Sequence, residues 1–144
     1  MKLDEMTIDV EQSVEINAGM DEVFKNMLFR LGEGNTRPDG ESLQLQIEPW
    51  AGGRWFRDRG QGVQHLWGHV QVIKPPKLLE ICGPLFMSYA ATNHVQYRLT
   101  ANGSTTRLTL IHQGIGLITD EHREGVVMGW DHIAQQIRQI AERK

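Results

Sequence analysis

Hydrophobic and polar positions change period along the chain, and each change predicts a different kind of element. Residues 8–16 alternate loosely, with Ile8, Val10, Val14 and Ile16 apolar, which predicts a first strand. Over residues 20–31 the spacing becomes helical. Val23, Phe24, Met27, Leu28 and Leu31 share a face, and Asp21 and Glu22 suit the positive end of a helix dipole. Asn17 is the expected start signal. Gly32, Gly34, Pro38 and Gly40 then break the chain into a loop, which lacks the Gly-Lys-Ser/Thr of a phosphate cradle.

Strand-like spacing returns at residue 43 and holds for about seventy residues. Leu43, Leu45 and Ile47 alternate with polar residues up to Pro49 and Gly52-Gly53, and Arg54-Trp55-Phe56-Arg57 follows as the next strand. A long run from Val63 to Ile73 places Leu66, Val70 and Val72 at even spacing, so these are expected to face inward. Pro75-Pro76 ends that run, and Leu78 to Cys82 forms a short strand closed by Gly83-Pro84. Val95, Tyr97 and Leu99 share one face of the next strand, and Leu108, Leu110 and His112 one face of the last. Asn102-Gly103 between them is a strong hairpin signal.

From Val126 the period is helical again. Val126/Val127, Trp130, Ile133/Ala134, Ile137 and Ile140/Ala141 form one apolar stripe, with Thr119 or Asp120 as the cap. Short turns between strands require antiparallel pairing. The pattern therefore predicts an α+β domain, a single unit over residues 1–144, whose antiparallel sheet lays its apolar face on the last helix.

Composition narrows the function. The 144 residues are 40% hydrophobic and 23% charged, an ordinary globular balance. With a net charge of −3 and no run of Lys or Arg, nucleic acid is not an expected partner. No stretch approaches the ~18 apolar residues of a membrane span, so membrane insertion is not expected either. A lone cysteine, Cys82, and an acidic start without an apolar leader lead to the expectation of a cytoplasmic protein.

Five segments carry a family resemblance. They are Val14-Glu15-Ile16-Asn17-Ala18 leading into Glu22-Val23-Phe24; Glu48-Pro49-Trp50-Ala51-Gly52-Gly53-Arg54-Trp55; Gly68-His69-Val70 before Pro75-Pro76-Lys77-Leu78-Leu79; Thr106 through Gly114; and Gly129-Trp130. In this order they resemble the SRPBCC superfamily of START domains, Bet v allergens and polyketide cyclases. Within it they are most similar to the branch of homologues of the heat-shock-protein ATPase activator. The resemblance implies a helix-grip fold, a curved antiparallel sheet wrapped around a long C-terminal helix with a cavity between them. Members include ligand carriers, cyclases, hydrolases and co-chaperone domains. The chain departs from the usual pattern at residues 32–42 and 84–92, both placed to reshape a cavity mouth.

Strand and helix phase bring Trp55, Tyr97, Leu110, His112, Val127 and Trp130 toward such a cavity, as aromatic walls with one polar anchor. His112 reads either as a ligand anchor or as a buried histidine bonded to a neighbour. Phe86, Met87 and Tyr89, apolar residues between turn signals, read as a lid or as a cluster packed on the core. His65 and His69 share a strand face about 13 Å apart, too far to hold one metal ion, so no metal is expected. With Trp67 they are expected to face outward, a surface for a homodimer or another protein. No nucleophile or acid–base pair is evident, no catalytic residue is assigned, and no cofactor is called for. Three functions stay open: binding of a small hydrophobic or aromatic molecule, a co-chaperone-like interaction module, and cyclase or hydrolase chemistry.

Overall fold

The alternating segments form seven strands in one antiparallel sheet, ordered β1-β7-β6-β5-β4-β3-β2. In this computed structural model the described residues are 2, 5–37, 39–87 and 90–143. The chain runs β1 (Thr7–Ile16), α1 (Met20–Leu31), β2 (Leu45–Ile47), β3 (Arg54–Asp58), β4 (Gln64–Lys74), β5 (Leu78–Gly83), β6 (Ala91–Asn102), β7 (Thr105–Gly116) and α2 (Asp120–Ala141). From β2 to β7 the sheet is a meander. β1 completes it by pairing with β7, from Thr7 opposite Ile115 to Ile16 opposite Thr106. This is the helix-grip arrangement that the pattern and the resemblance imply.

The hairpin at Asn102-Gly103 forms where its turn chemistry requires. Asn102 pairs with Thr105, and Gly103 takes a φ of 63°, which a side chain would resist. The long β6–β7 ladder places Val95, Tyr97, Leu99, Leu108, Leu110 and His112 on one buried face. Helix α2 lies closest to α1 and β1 and buries Val126, Trp130, Ile137 and Ala141. Each such large apolar side chain contributes about 1.5–3 kcal/mol on burial.

The structure corrects several expectations from the pattern. Opposite β4, Trp55 pairs with Gly68 and Phe56 with Leu66, so Trp67 is the extra residue of a β-bulge. The bulge reverses the strand's phase. Trp67 turns inward at 7% exposure, while Leu66 is 41% exposed. A second irregularity between Val70 and Val72 leaves Val70 in the core but sets Val72 opposite Glu80. The outward surface expected of His65, Trp67 and His69 thus loses its tryptophan, whose indole donates to His65 Nδ1 at 3.2 Å. Val127 is also not part of the inner stripe: it is 45% exposed, and only Val126 of that pair is buried. Lastly, α1 begins after Gly19, not Asn17, and has no side-chain cap. The Asn17 backbone N–H donates instead to the Glu142 carboxylate at the far end of α2.

Two local features hold the frame. At Gly68 the bulged strand passes so near β5 that a Cβ would lie 2.7 Å from the carbonyl oxygen of Cys82, a contact only glycine avoids. At the start of α2, the Thr119 hydroxyl accepts the backbone N–H of His122 at 3.2 Å. Thr119→Ala is therefore expected to lower stability by about 1 kcal/mol. A urea midpoint that stays put would show that the cap contributes nothing.

Candidate functional site

Between the sheet and α2 lies a cavity of about 610 Å³, within the usual range for small-molecule sites. Its apolar wall is an arc of aromatic rings. Trp55 meets Trp67 edge-to-face at 5.0 Å between centroids, Trp67 meets Phe86 at 5.8 Å, and Phe86 meets Trp130 at 6.5 Å. The bulge in β4 is what delivers Trp67 to this arc. Trp55 is fixed from behind, because its indole N–H donates to the carbonyl of Leu31 at 2.7 Å, one of the carbonyls α1 leaves open at its end.

Trp130 is fixed by the sheet. Its indole N–H donates to His112 Nδ1 at 2.8 Å. Indole nitrogen only donates, so Nδ1 is the acceptor and the imidazole proton sits on Nε2. Nε2–H then donates to Asn93 Oδ1 at 2.7 Å. The Asn93 amide donates in turn to the carbonyls of Gly83 and Pro84, at 3.2 and 3.4 Å. Burial pulls the His112 pKa down to about 4, so the ring is neutral at physiological pH. His112 is thus a fully bonded link from Trp130 to the start of the 84–87 segment.

The polar wall is built differently. Arg30, in the last turn of α1, is buried at 1% exposure. Its Nε donates to Gln136 Oε1 and one Nη2–H to the carbonyl of Thr36 at 3.1 Å. Nη1 has no hydrogen-bond partner among the described residues, and neither does the buried Oδ1 of Asn35. Both residues line the cavity, as does His132, whose buried Nε2 is also without a partner there. Burial pushes the Arg30 pKa down, yet a guanidinium stays charged in proteins. Nearby, burial also pushes the Tyr97 phenol up, which keeps it a neutral hydroxyl.

Comparison with known proteins places this geometry. The family model for "Activator of Hsp90 ATPase homolog 1-like protein" matches residues 41–142. The chain belongs to that family. A search of curated proteins finds no match. Among solved structures, MLL2253 from Mesorhizobium loti superposes with a TM-score of 0.71 at 18% identity, covering 96% of this chain and 98% of that one. CalU16 from Micromonospora echinospora gives 0.64 at 18% identity, covering 93% and 76%. The di-domain ARO/CYC protein StfQ of the steffimycin biosynthetic pathway gives 0.65 at 10% identity, covering 97% of this chain and 51% of that one. At these identities the likeness is one of fold.

In this member of the activator-homologue family, the residues singled out from sequence divide into two groups. Trp55, Trp130 and Phe86 border the cavity. Tyr97, Leu110 and His112 lie behind it in the core, and Met87 is buried with its sulfur 3.7 Å from the Asn93 amide. Val127 is on the outer side of α2, and Tyr89 lies outside the described residues. Cys82 is partly buried, and desolvation raises its thiol pKa, which disfavours the thiolate. Among the described residues no three His, Cys, Asp or Glu side chains gather into a metal site, and no helix is long and apolar enough to cross a membrane.

Among the wall residues that escaped the sequence reading are Arg30, Asn35, Gly125 and Gly129. Three of these carried a signal. Arg30 follows Val23 by seven positions and Met27 by three, which puts a cation on the apolar face of α1. Gly125 and Gly129 are four apart within a helix, an unfavourable choice unless something needs the space.

Proposed function

We propose that this protein binds a small hydrophobic or aromatic molecule in the cavity between the sheet and α2, held against Trp55, Trp67, Phe86 and Trp130. The observation that carries this reading is the pair of glycines at the cavity's helical edge. Gly125 and Gly129 sit inside α2, where each costs about 0.8–1.0 kcal/mol relative to alanine. No close neighbour requires them, since a Cβ at either position would meet nothing within 4 Å. Both line the cavity, so what they preserve is its opening. A fold selected for stability alone would fill these positions. StfQ, a di-domain ARO/CYC protein of a biosynthetic pathway, shares this fold, a fold-level analogy that agrees with a small-molecule site.

The reading is tested by closing the opening without harming the frame. The neutral fluorescent probe N-phenyl-1-naphthylamine is expected to bind the natural protein and brighten. The double variant Gly125→Leu/Gly129→Leu is expected to melt no lower than the natural protein, because helix propensity rises, while probe binding falls at least about tenfold. A probe that never binds, or that binds the filled variant equally well, would rule the cavity out. Native mass spectrometry of freshly purified protein, set against its denatured mass, then identifies any molecule carried along.

A further inference from the structure

The cavity wall holds two arginines, and they are in opposite electrostatic states. Arg37, exposed at the rim, is neutralised by two carboxylates, Asp39 and Glu41, each 3.0 Å from its Nη2. Arg30 is deeply buried and has no carboxylate within ion-pair distance among the described residues. Its two hydrogen bonds go to neutral oxygens, the side-chain amide of Gln136 and the backbone of Thr36. The third terminus, Nη1, is left without an acceptor.

A buried, unpaired cation is costly, and a leucine or methionine would fill the same site on an amphipathic helix without that cost. Proteins tolerate such a group chiefly where it meets something that is not part of the chain. Gln136 and Thr36 grip Nε and Nη2 and so fix the plane of the guanidinium, in a residue that lines the cavity and whose Nη1 is left without an acceptor. That terminus suits an anionic oxygen, for which guanidinium is the best-matched side chain. Lining the same cavity, the rings of Trp55, Trp67 and Trp130 suit a flat apolar body.

Resting on the ligand-binding reading above, we infer that the ligand is an aromatic or similarly flat organic anion whose single acidic head group, carboxylate-like, pairs with Arg30. The anion would supply the countercharge that the described residues withhold, and the apolar body would lie along the tryptophan arc.

The test uses N-phenyl-1-naphthylamine as the reporter and two near-isosteric competitors, 2-naphthoate and 2-naphthamide, which differ in charge at one head group. In the natural protein 2-naphthoate is expected to displace the reporter about tenfold or more better than 2-naphthamide. In Arg30→Met that preference is expected to fall to about unity while reporter binding persists, and Arg30→Lys should retain part of it. Equal competition by the two compounds in the natural protein overturns the inference and leaves the cavity reading intact, even if Arg30→Met does not fold. A preference that survives in Arg30→Met also overturns it. Failure of the reporter itself to bind is a different result, and removes the cavity reading along with this one.

Discussion

Trp130→Ala is expected to destabilise the protein by about 3–5 kcal/mol, the range for deleting a large buried aromatic side chain. The indole is 3% exposed and stands where α2 meets the β6–β7 ladder. Its ring meets Tyr97, His112 and Phe86 edge-to-face at 6.3, 5.5 and 6.5 Å. Truncation removes those contacts, enlarges an existing cavity and strands the Nδ1 acceptor of His112. Trp130→Phe separates the effects. It keeps most of the apolar bulk but leaves Nδ1 buried without a donor, which costs about 1–3 kcal/mol. Urea unfolding of the two variants beside the natural protein measures both quantities. A loss below about 1 kcal/mol for the alanine variant would mean that this ring does not anchor α2 to the sheet.

The second large effect is acid lability centred on His112. Its folded pKa lies at about 4, held down by burial, and protonation at Nδ1 would also set a new N–H against the indole N–H of Trp130. An unfolded histidine titrates near 6.5, so between these values the unfolded chain binds more protons than the folded one. Stability is therefore complete above about pH 6.5 and is lost as pH falls toward 4, by about 2 kcal/mol at pH 5 and about 3 kcal/mol in full. The carboxylates act in a lower window. Glu15 is held below its ordinary range by Arg107, Asp39 by the Glu41 backbone N–H, and Glu48 by Arg54, so their contribution fades only below about pH 4.5. Denaturant unfolding at pH 7 and pH 5 measures the drop. In His112→Gln, whatever its starting stability, the drop between those two pH values should shrink by about 2 kcal/mol. An unchanged drop would assign the acid sensitivity to other groups.

What was legible in the sequence was whatever repeats with a fixed period. The β6–β7 hairpin followed from Asn102-Gly103 and the clean alternation on either side. Helices α1 and α2 followed from spacing of three and four. The orientation of Trp67 was hidden because a bulge adds a single residue and leaves no mark in composition, yet it inverts every side chain beyond it. Val127 was misplaced for a smaller reason: the apolar stripe of α2 is narrower than the run of apolar letters, and Val126 alone takes the inner position. The polar wall was harder still. Arg30 and Asn35 lie on α1 and in the loop after it, far along the chain from Phe86 and Trp130, and only folding brings them to the same cavity.

One arrangement described above turns the protein into its own instrument. Of its four tryptophans, Trp55, Trp67 and Trp130 border the cavity, whereas Trp50 lies outside at 57% exposure. Trp50→Phe would silence the solvent-exposed tryptophan and leave three whose light originates at the site. Quenching or a spectral shift in that variant would report occupancy directly, with no label attached, for any compound in a screening plate.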